Sequence, residues 1–500
     1  MNKHIVYISI CCLIVLINGC TVQRKFMQTE MRPTSSLARE LQQMFDDPQF
    51  YDSIWGVAIQ SLTTNEFIYV RNEHINLIPA SNVKLFTTAA ALVRLSPDYR
   101  ISTAIYRNGP ITKQGVLEGD LIITGQGDPS ISGRYYDGQI SYVFKSWADS
   151  LQNYGIKKIN GNIIGDDNYF DADYLGDGWA WDYETEWYAA QISALTYNDN
   201  CLEVIISPGD SINAPARIDI VPNVSYAEIQ NRILTVDQSI PNQISYNRER
   251  GVNKITLEGQ ISLTSEPKHV WITIENPTLF FIESLKQSLT ENGIETAGRA
   301  YDIDYIPFSY QKDDSLNIFT HLSPPLAKII ETVNKSSQNL FAELILRILG
   351  AQLKGNGSAD QGIQVVREFI TQIGINPSNF IMVDGSGLSR LNLVSAKDIL
   401  ALLKYMHTHP YRDSFIASLS VSGIDGTLKN RLNSDFTRGK VKAKTGYLGH
   451  AVSLSGYIEA DQHHHYIFSM INNNYSTPTS LSQALQEAAC ERIINFSINP

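Results

Sequence analysis

Two side chains with complementary chemistry, Ser81 and Lys84 in Ser81-Asn82-Val83-Lys84, open a run in which Val83, Phe86, Ala89, Ala90 and Val93 fall on one face of a helix. Residues at that spacing are neighbours on a helix, so the Lys84 amine can reach the Ser81 hydroxyl. A lysine partly desolvated by such a face is a base able to activate a serine for attack on an acyl carbon. The first helical turn adds backbone N–H groups that favour developing negative charge. The bare spacing is common, and Ser265 to Lys268 and Ser309 to Lys312 repeat it. Context separates them. Ser265 stands with Pro267 ahead of a strand-like run and Ser309 lies in a polar stretch, so neither heads an apolar helix.

Two later groups could complete such a site. Ser337-Gln338-Asn339 lies between Val333-Asn334-Lys335 and Leu340-Phe341-Ala342-Glu343-Leu344, the junction of two helical stretches. A hydroxyl there could relay a proton to a departing amine, and the Asn339 amide could hold a peptide group. Ser211 to Asn213, Ser245 to Asn247 and Ser315 to Asn317 share the spacing, where local capping is the commoner job. Lys444-Thr445-Gly446 ends the β-like run Val441 to Thr445, and after Tyr447-Leu448-Gly449 a second strand starts near Ala451. A cation and a hydroxyl on an edge strand suit a terminal carboxylate. Gly446 leaves room for the ligand's backbone to pair with the strand. In this order, the three groups read as parts of an active-serine acyl-transfer site.

The elements that must position them form two separated pieces. Leu37 to Phe45 has helical spacing, and Trp55 to Gln60 and Phe67 to Val70 read as a hairpin about Thr63-Thr64-Asn65. From 98 to 300 the character changes to short strands, Gly119 to Thr124, Cys201 to Ile206, Lys254 to Leu257 and Val270 to Ile274, punctuated by Gly, Pro, Asn and Asp. Helical periodicity returns between Leu326 and Leu349, with Pro324-Pro325 before it and Gly350 at its expected end. The division is therefore a catalytic domain in two parts, 37–97 and 301–500, flanking an inserted β-rich block over 98–300.

Composition agrees with several cores. The chain has 500 residues, 43% of them hydrophobic, and single cores stop growing near about 250–300 residues. With 40 basic against 51 acidic residues it lacks the basic surface of a sequence-independent nucleic-acid binder. At the N-terminus Lys3 precedes the apolar run Ile5 to Ile17, which ends at Asn18-Gly19-Cys20, the order of an export signal over 1–19. Cysteine directly after a small residue there resembles a bacterial lipobox, making Cys20 the acylated first residue of a mature chain; a plain signal peptide or an uncleaved anchor is the alternative. Residues 20–36, polar with Pro33, then form a tether. Only Cys201 and Cys490 remain beyond these, and two buried free thiols are expected in preference to one bridge.

The chain resembles the penicillin-binding protein 4 type of D-alanyl-D-alanine carboxypeptidase/endopeptidase, the low-mass class C group, which carries the triplet S-x-x-K, S-x-N and K-T-G. The likeness also rests on Gly125-Gln126-Gly127-Asp128-Pro129, Gly161 to Asp166, Gly178-Trp179-Ala180-Trp181-Asp182, Asp384-Gly385-Ser386-Gly387-Leu388-Ser389 and Gly423-Ile424-Asp425-Gly426-Thr427-Leu428. The long gap between Ser81 and Ser337 also fits this group, which carries two extra domains there. The resemblance implies an α+β fold, a transpeptidase-like, β-lactamase-like catalytic domain with an antiparallel sheet against helices, and two inserted, mainly β domains. It implies Ser81 as acylated nucleophile, Lys84 as base, and Ser337 and Asn339 as proton relay and substrate contact. Lys444 and Thr445 would bind the carboxylate, with Gly446 beside them and the backbone N–H groups of Ser81 and Tyr447 as oxyanion hole.

The expected activity is hydrolysis of the bond between two D-alanines, or between D-alanine and a cross-linking amine, on peptidoglycan stem peptides. Penicillin and other β-lactams would be trapped at the acyl-enzyme, no cofactor or metal is called for, and the lipid on Cys20 would hold the protein to a membrane facing the periplasm. A β-lactamase or transpeptidase of the same chemistry and a catalytically silent peptidoglycan-binding scaffold are the alternatives. His463-His464-His465 reads as a solvated hairpin turn rather than a metal site. Trp179 to Trp187 could line a glycan or stem-peptide surface or simply pack as a covering loop, and Asp384 to Ser389 reads as a tight turn shaping the cleft.

Overall fold

Three long apolar strands lack the in–out alternation of a half-exposed sheet, so both of their faces must be covered. The computed structural model describes residues 35–306 and 316–498. The export signal, Cys20, nearly all of the tether, and Ser309 and Lys312 lie outside the described residues.

In chain order, the first catalytic piece contains α1 (Ser36–Phe45), β1 (Ile54–Ser61), β2 (Phe67–Arg71) and α2 (Val83–Leu95). The insertion adds β3 (Ser102–Asn108), β4 (Asp120–Gly125), α3 (Tyr142–Asn153), β5 (Ile163–Asp166), β6 (Cys201–Ser207), β7 (Arg217–Val221), β8 (Glu228–Val236), β9 (Gln243–Arg248), β10 (Lys254–Ser262), β11 (Lys268–Thr273), α4 (Pro277–Glu291), β12 (Ala300–Asp302) and β13 (Asn317–Leu322). The second piece supplies α5 (Leu326–Lys335), α6 (Asn339–Lys354), α7 (Ala359–Gln372), α8 (Ala396–Thr408), α9 (Arg412–Ala417), β14 (Ser420–Val421), β15 (Val441–Leu448), β16 (Ala451–Glu459), β17 (His465–Asn473) and α10 (Thr479–Ile498).

The catalytic sheet runs β14-β15-β16-β17-β1-β2 with every pair antiparallel. Because side chains alternate along a strand, Val57, Ile59, Leu454, Ile458, Phe468 and Met470 share one core with α1 and α10. Ala58, Tyr457, Ile467 and Ile471 enter the other, with α2 and the helices around it. Helix α2 lies at the centre of that second core and is buried from Val83 to Leu92. A helix apolar on all sides belongs in such a place; Lys84 is the charged exception.

The insertion holds a five-stranded mixed sheet, β12-β5-β4-β3-β13, two three-stranded sheets, β8-β10-β9 and β11-β6-β7, and a third of two-residue strands, Glu295–Thr296, Lys158–Ile159 and Val116–Leu117. Its core also buries one face each of α3 and α4, so the block is less purely β than its punctuation suggests. The sequence-based end at 300 needs correction. Strand β13 pairs with β3, carrying the insertion to Leu322; this partner lies far away in the chain, so no local pattern announces it. The two crossings form a neck where Ile101 N donates to Ser323 Oγ at 2.9 Å, Ser323 N donates to Ile101 O at 2.9 Å and Leu326 N donates to Tyr99 O at 2.8 Å.

Helix α6 also passes its expected stop. Gly350 is internal, and the helix ends at Gly355, whose φ of 75° supplies the left-handed cap. Gly350 serves close packing against α7 instead: a Cβ there would lie 2.7 Å from Asn356 O and 2.9 Å from both Gly362 N and Ser358 O. Helix propensity alone predicts that Gly350→Ala stabilises by about 1 kcal/mol. The close contacts reverse the sign, and thermal melting of Gly350→Ala is expected to show a midpoint lowered by several degrees.

Candidate active site

Ser81 sits in a tight 3-10 turn, Ala80–Asn82, that feeds directly into α2, with Ala80 at a positive φ of 48°. One turn into the helix system, Lys84 is fully buried, and its Nζ lies 3.0 Å from Ser81 Oγ, 2.6 Å from Asn339 Oδ1 and 2.6 Å from Ser386 O. Three acceptors use all the donors of an ammonium. Loss of hydration nevertheless disfavours the charge and pushes the Lys84 amine down to about 7, against the opposing pull of Asp384 and Glu343. Near neutral pH the group is thus divided between ammonium and amine, the balance a general base requires.

The other two motifs converge on the same serine. Asn82 Nδ2 donates to Lys444 O at 3.1 Å, tying the start of α2 to β15. The buried Lys444 Nζ donates to Ser337 Oγ and to Thr445 O, each at 2.8 Å. Burial, then the neighbouring Lys84, holds it well below the usual lysine range. Ser337 occupies the break between α5 and α6 with φ 58°. Thr445 Oγ1 donates to Thr427 Oγ1 at 2.8 Å, and Tyr447 is 61% exposed. Strand β14 pairs only with Ala443 and Lys442, so from Lys444 onward β15 is a sheet edge. A Cβ on Gly446 would lie 2.7 Å from Pro79 O and 3.1 Å from Ser81 N, which explains the glycine: this edge runs directly against the backbone amide of Ser81. Ser265, by contrast, belongs to the insertion, where its hydroxyl bonds Asn242 and Glu266.

Asn339 lies beside Lys84 in the assembled site. Its Oδ1 accepts from Lys84 and its Nδ2 donates to Tyr188 O at 2.8 Å, so both ends of the amide already serve the protein. The reason is the buried Lys84, which needs acceptors more than an exposed group would.

Sequence reasoning passed over Glu343. It lies one helical turn after Asn339, wholly buried, and accepts from Ser386 N at 2.8 Å and Gly385 N at 3.0 Å. That grip orients Ser386 O toward Lys84. Burial pushes the Glu343 carboxyl up to about 7, with Asp384 adding to the rise. The available signal was the i, i+4 series Asn339, Glu343 and Arg347 on an otherwise apolar helix. Asp384 braces the same turn, accepting from Gly387 N at 2.7 Å, Ser389 N at 2.6 Å and Trp179 Nε1 at 3.0 Å. Of the Trp179 to Trp187 segment, Trp179 and Tyr183 pack beside Ala80 and Leu388 at the site, whereas Trp181 and Trp187 remain exposed. His463 and His464 lie in the β16–β17 turn, with Asp461 accepting from the backbone of both, and His465 opens β17.

Comparison with known proteins gives the family of the chain. A family model described as the D-Ala-D-Ala carboxypeptidase 3 (S13) family matches residues 37–492. A D-alanyl-D-alanine carboxypeptidase of Actinomadura sp. (strain R39) is 30% identical over 474 residues, 93% of this chain and 85% of that protein. The crystal structure of penicillin binding protein 4 (dacB) from Haemophilus influenzae superposes with a TM-score of 0.77 at 25% identity, covering 92% of this chain and 99% of that one. A structure of the same Haemophilus protein complexed with a β-lactam gives a TM-score of 0.73 at 24% identity, with the same coverage. With its serine, two buried lysines and sheet edge assembled in one α+β domain, the chain belongs to the D-Ala-D-Ala carboxypeptidase 3 (S13) family.

Proposed function

We propose that this protein is a serine D-alanyl-D-alanine carboxypeptidase and endopeptidase of peptidoglycan stem peptides that is acylated by penicillin. The observation that carries the reading is the Lys84 Nζ lying 3.0 Å from Ser81 Oγ inside a water-excluding cage, with its basicity lowered to about 7. The amine takes the Ser81 proton as Oγ attacks the carbonyl carbon of the penultimate D-alanine. Backbone N–H groups of Ser81 and Tyr447 face the developing oxyanion. Ser337, hydrogen-bonded to Lys444, passes a proton to the departing nitrogen, which leaves as free D-alanine or as the cross-linking amine. Lys444 and Thr445 hold the substrate carboxylate. Water then hydrolyses the Ser81 ester. With a β-lactam the departing nitrogen stays tethered in the opened ring, so the ester persists. Membership of the S13 family and the D-alanyl-D-alanine carboxypeptidase activity of the Actinomadura relative support this assignment.

The same reading extends to location. The apolar run before Cys20 supports export and lipid anchorage at a periplasm-facing membrane, with residues 20–36 as the tether. Among the described residues no helix is long and apolar enough to cross a membrane.

Intact-mass measurement after incubation with a fluorescent penicillin is expected to show one adduct on the wild type and none on Ser81→Ala, and an adduct on the variant would remove Ser81 as nucleophile. The acylation rate constant should rise with pH with a midpoint near 7, because only the amine form of Lys84 accepts the proton. A midpoint in the ordinary lysine range would contradict the desolvated base. Cys20→Ala should move active protein from the membrane to the soluble fraction on cell fractionation, whereas persistent membrane binding would refute the lipid anchor.

A further inference from the structure

One contact between the insertion and the middle motif has no part in the hydrolytic steps. Asn198, Asp199 and Asn200 have successive φ values of 48°, 58° and 53°, a left-handed run that asparagine and aspartate tolerate better than other non-glycine residues and still at a cost. Dedicated bonds hold it: Asn198 Nδ2 donates to Cys201 O at 3.1 Å, Asn200 Nδ2 donates to Gln191 O at 2.8 Å, and Asn200 Oδ1 accepts from Tyr197 N at 3.2 Å. The turn presents one side chain to the catalytic domain. Asp199 Oδ2 accepts from Gln338 Nε2 at 3.0 Å and from Arg134 Nε at 2.5 Å, while Oδ1 accepts from Ser132 Oγ at 3.3 Å.

Gln338 is buried and stands between Ser337, itself at φ 58°, and Asn339. A left-handed serine relaxes unless its neighbours hold it. We propose that Asp199, fixed by Arg134, is a positioning residue of the insertion: by holding the Gln338 side chain it keeps the Ser337 hydroxyl on Lys444 and the Asn339 amide on Lys84. Asp199 touches neither substrate nor reacting atoms. Simple docking of the insertion does not require it, because Trp179 on Asp384, Tyr135 OH on Thr332 Oγ1 and the Arg347 guanidinium on Asp173 O already join the two blocks. The inference rests on the acyl-enzyme reading above.

The test is a double-mutant cycle on the full chain with Asp199→Ala, Gln338→Leu and both together, and with Asp199→Asn as the conservative variant. Acylation by a fluorescent penicillin, kcat and KM on a D-Ala-D-Ala peptide, and the melting midpoint are measured. A charged hydrogen bond of this kind corresponds to about ten- to hundredfold in rate. Each single variant is expected to lose that much in acylation and kcat with KM nearly unchanged, the double variant to lose no more than the worse single one, and Asp199→Asn to recover part of the loss. Wild-type rates in the single variants, losses that multiply in the double, or losses that track the melting midpoint would overturn the proposal. Failure of the wild type itself to be acylated would sink the acyl-enzyme reading first, and the role of Asp199 with it.

Discussion

A lysine kept out of water is the constraint on which the rest of this site depends. An ammonium removed from solvent costs several kcal/mol unless acceptors replace its hydration, and that is a large fraction of a typical folding stability. The fold supplies Lys84 with acceptors from three separate parts of the chain: the serine of its own turn, a helix side chain and the carbonyl of a glycine-rich turn. Too many anions nearby would freeze the charge on, and none would leave the amine too weak a base. Asp384 and Glu343 contribute the intermediate pull against the burial that disfavours the charge.

Holding those groups requires stiffness on every side, which explains the architecture around them. The sheet is sandwiched between two cores, one facing α1 and α10 and the other facing α2 and α8, and Val441 and Ala443 root β15 in the first, so it cannot tilt away from the serine without disturbing that core. Glycine at 446 and 387 lets that strand and the Asp384 turn approach the Ser81 backbone more closely than any side chain would permit. The insertion closes the remaining side through Tyr188, Trp179 and Asp199.

Much of this was legible in the residues because the chemistry demands particular types in particular local settings. A serine heading an apolar helix, a serine at a helix junction and a lysine near the end of a strand are each visible over a dozen residues, and the family strings extended the reading across the chain. Cys201 and Cys490 are free buried thiols, each packed in a different core, as their number suggested. What stayed hidden depends on contacts distant in sequence. Glu343 looks like a misplaced charge until the 385–386 backbone arrives beside it. Gly350 looks like a stop until α7 packs on it, and β13 looks like part of the second catalytic piece until it finds β3. Nothing local reveals that Lys84 and the Tyr188 carbonyl bond the Asn339 amide.

The strand order of the catalytic sheet carries a temporal meaning. Strand β1, near the start of the described chain, lies between β2 and β17, with Ile54 opposite Asn473, and Ile78 N reaches Asn473 Oδ1 across 395 residues. Such pairing is slow to find and is out of reach until the last strands have been synthesised. The hairpin and the helix bearing Ser81 must therefore wait, without their sheet, while the insertion, whose neck brings its ends together, is complete much earlier. Reactivity then arrives late in synthesis, because no chain that stops short of Val441–Leu448 contains both the serine and the strand that faces it.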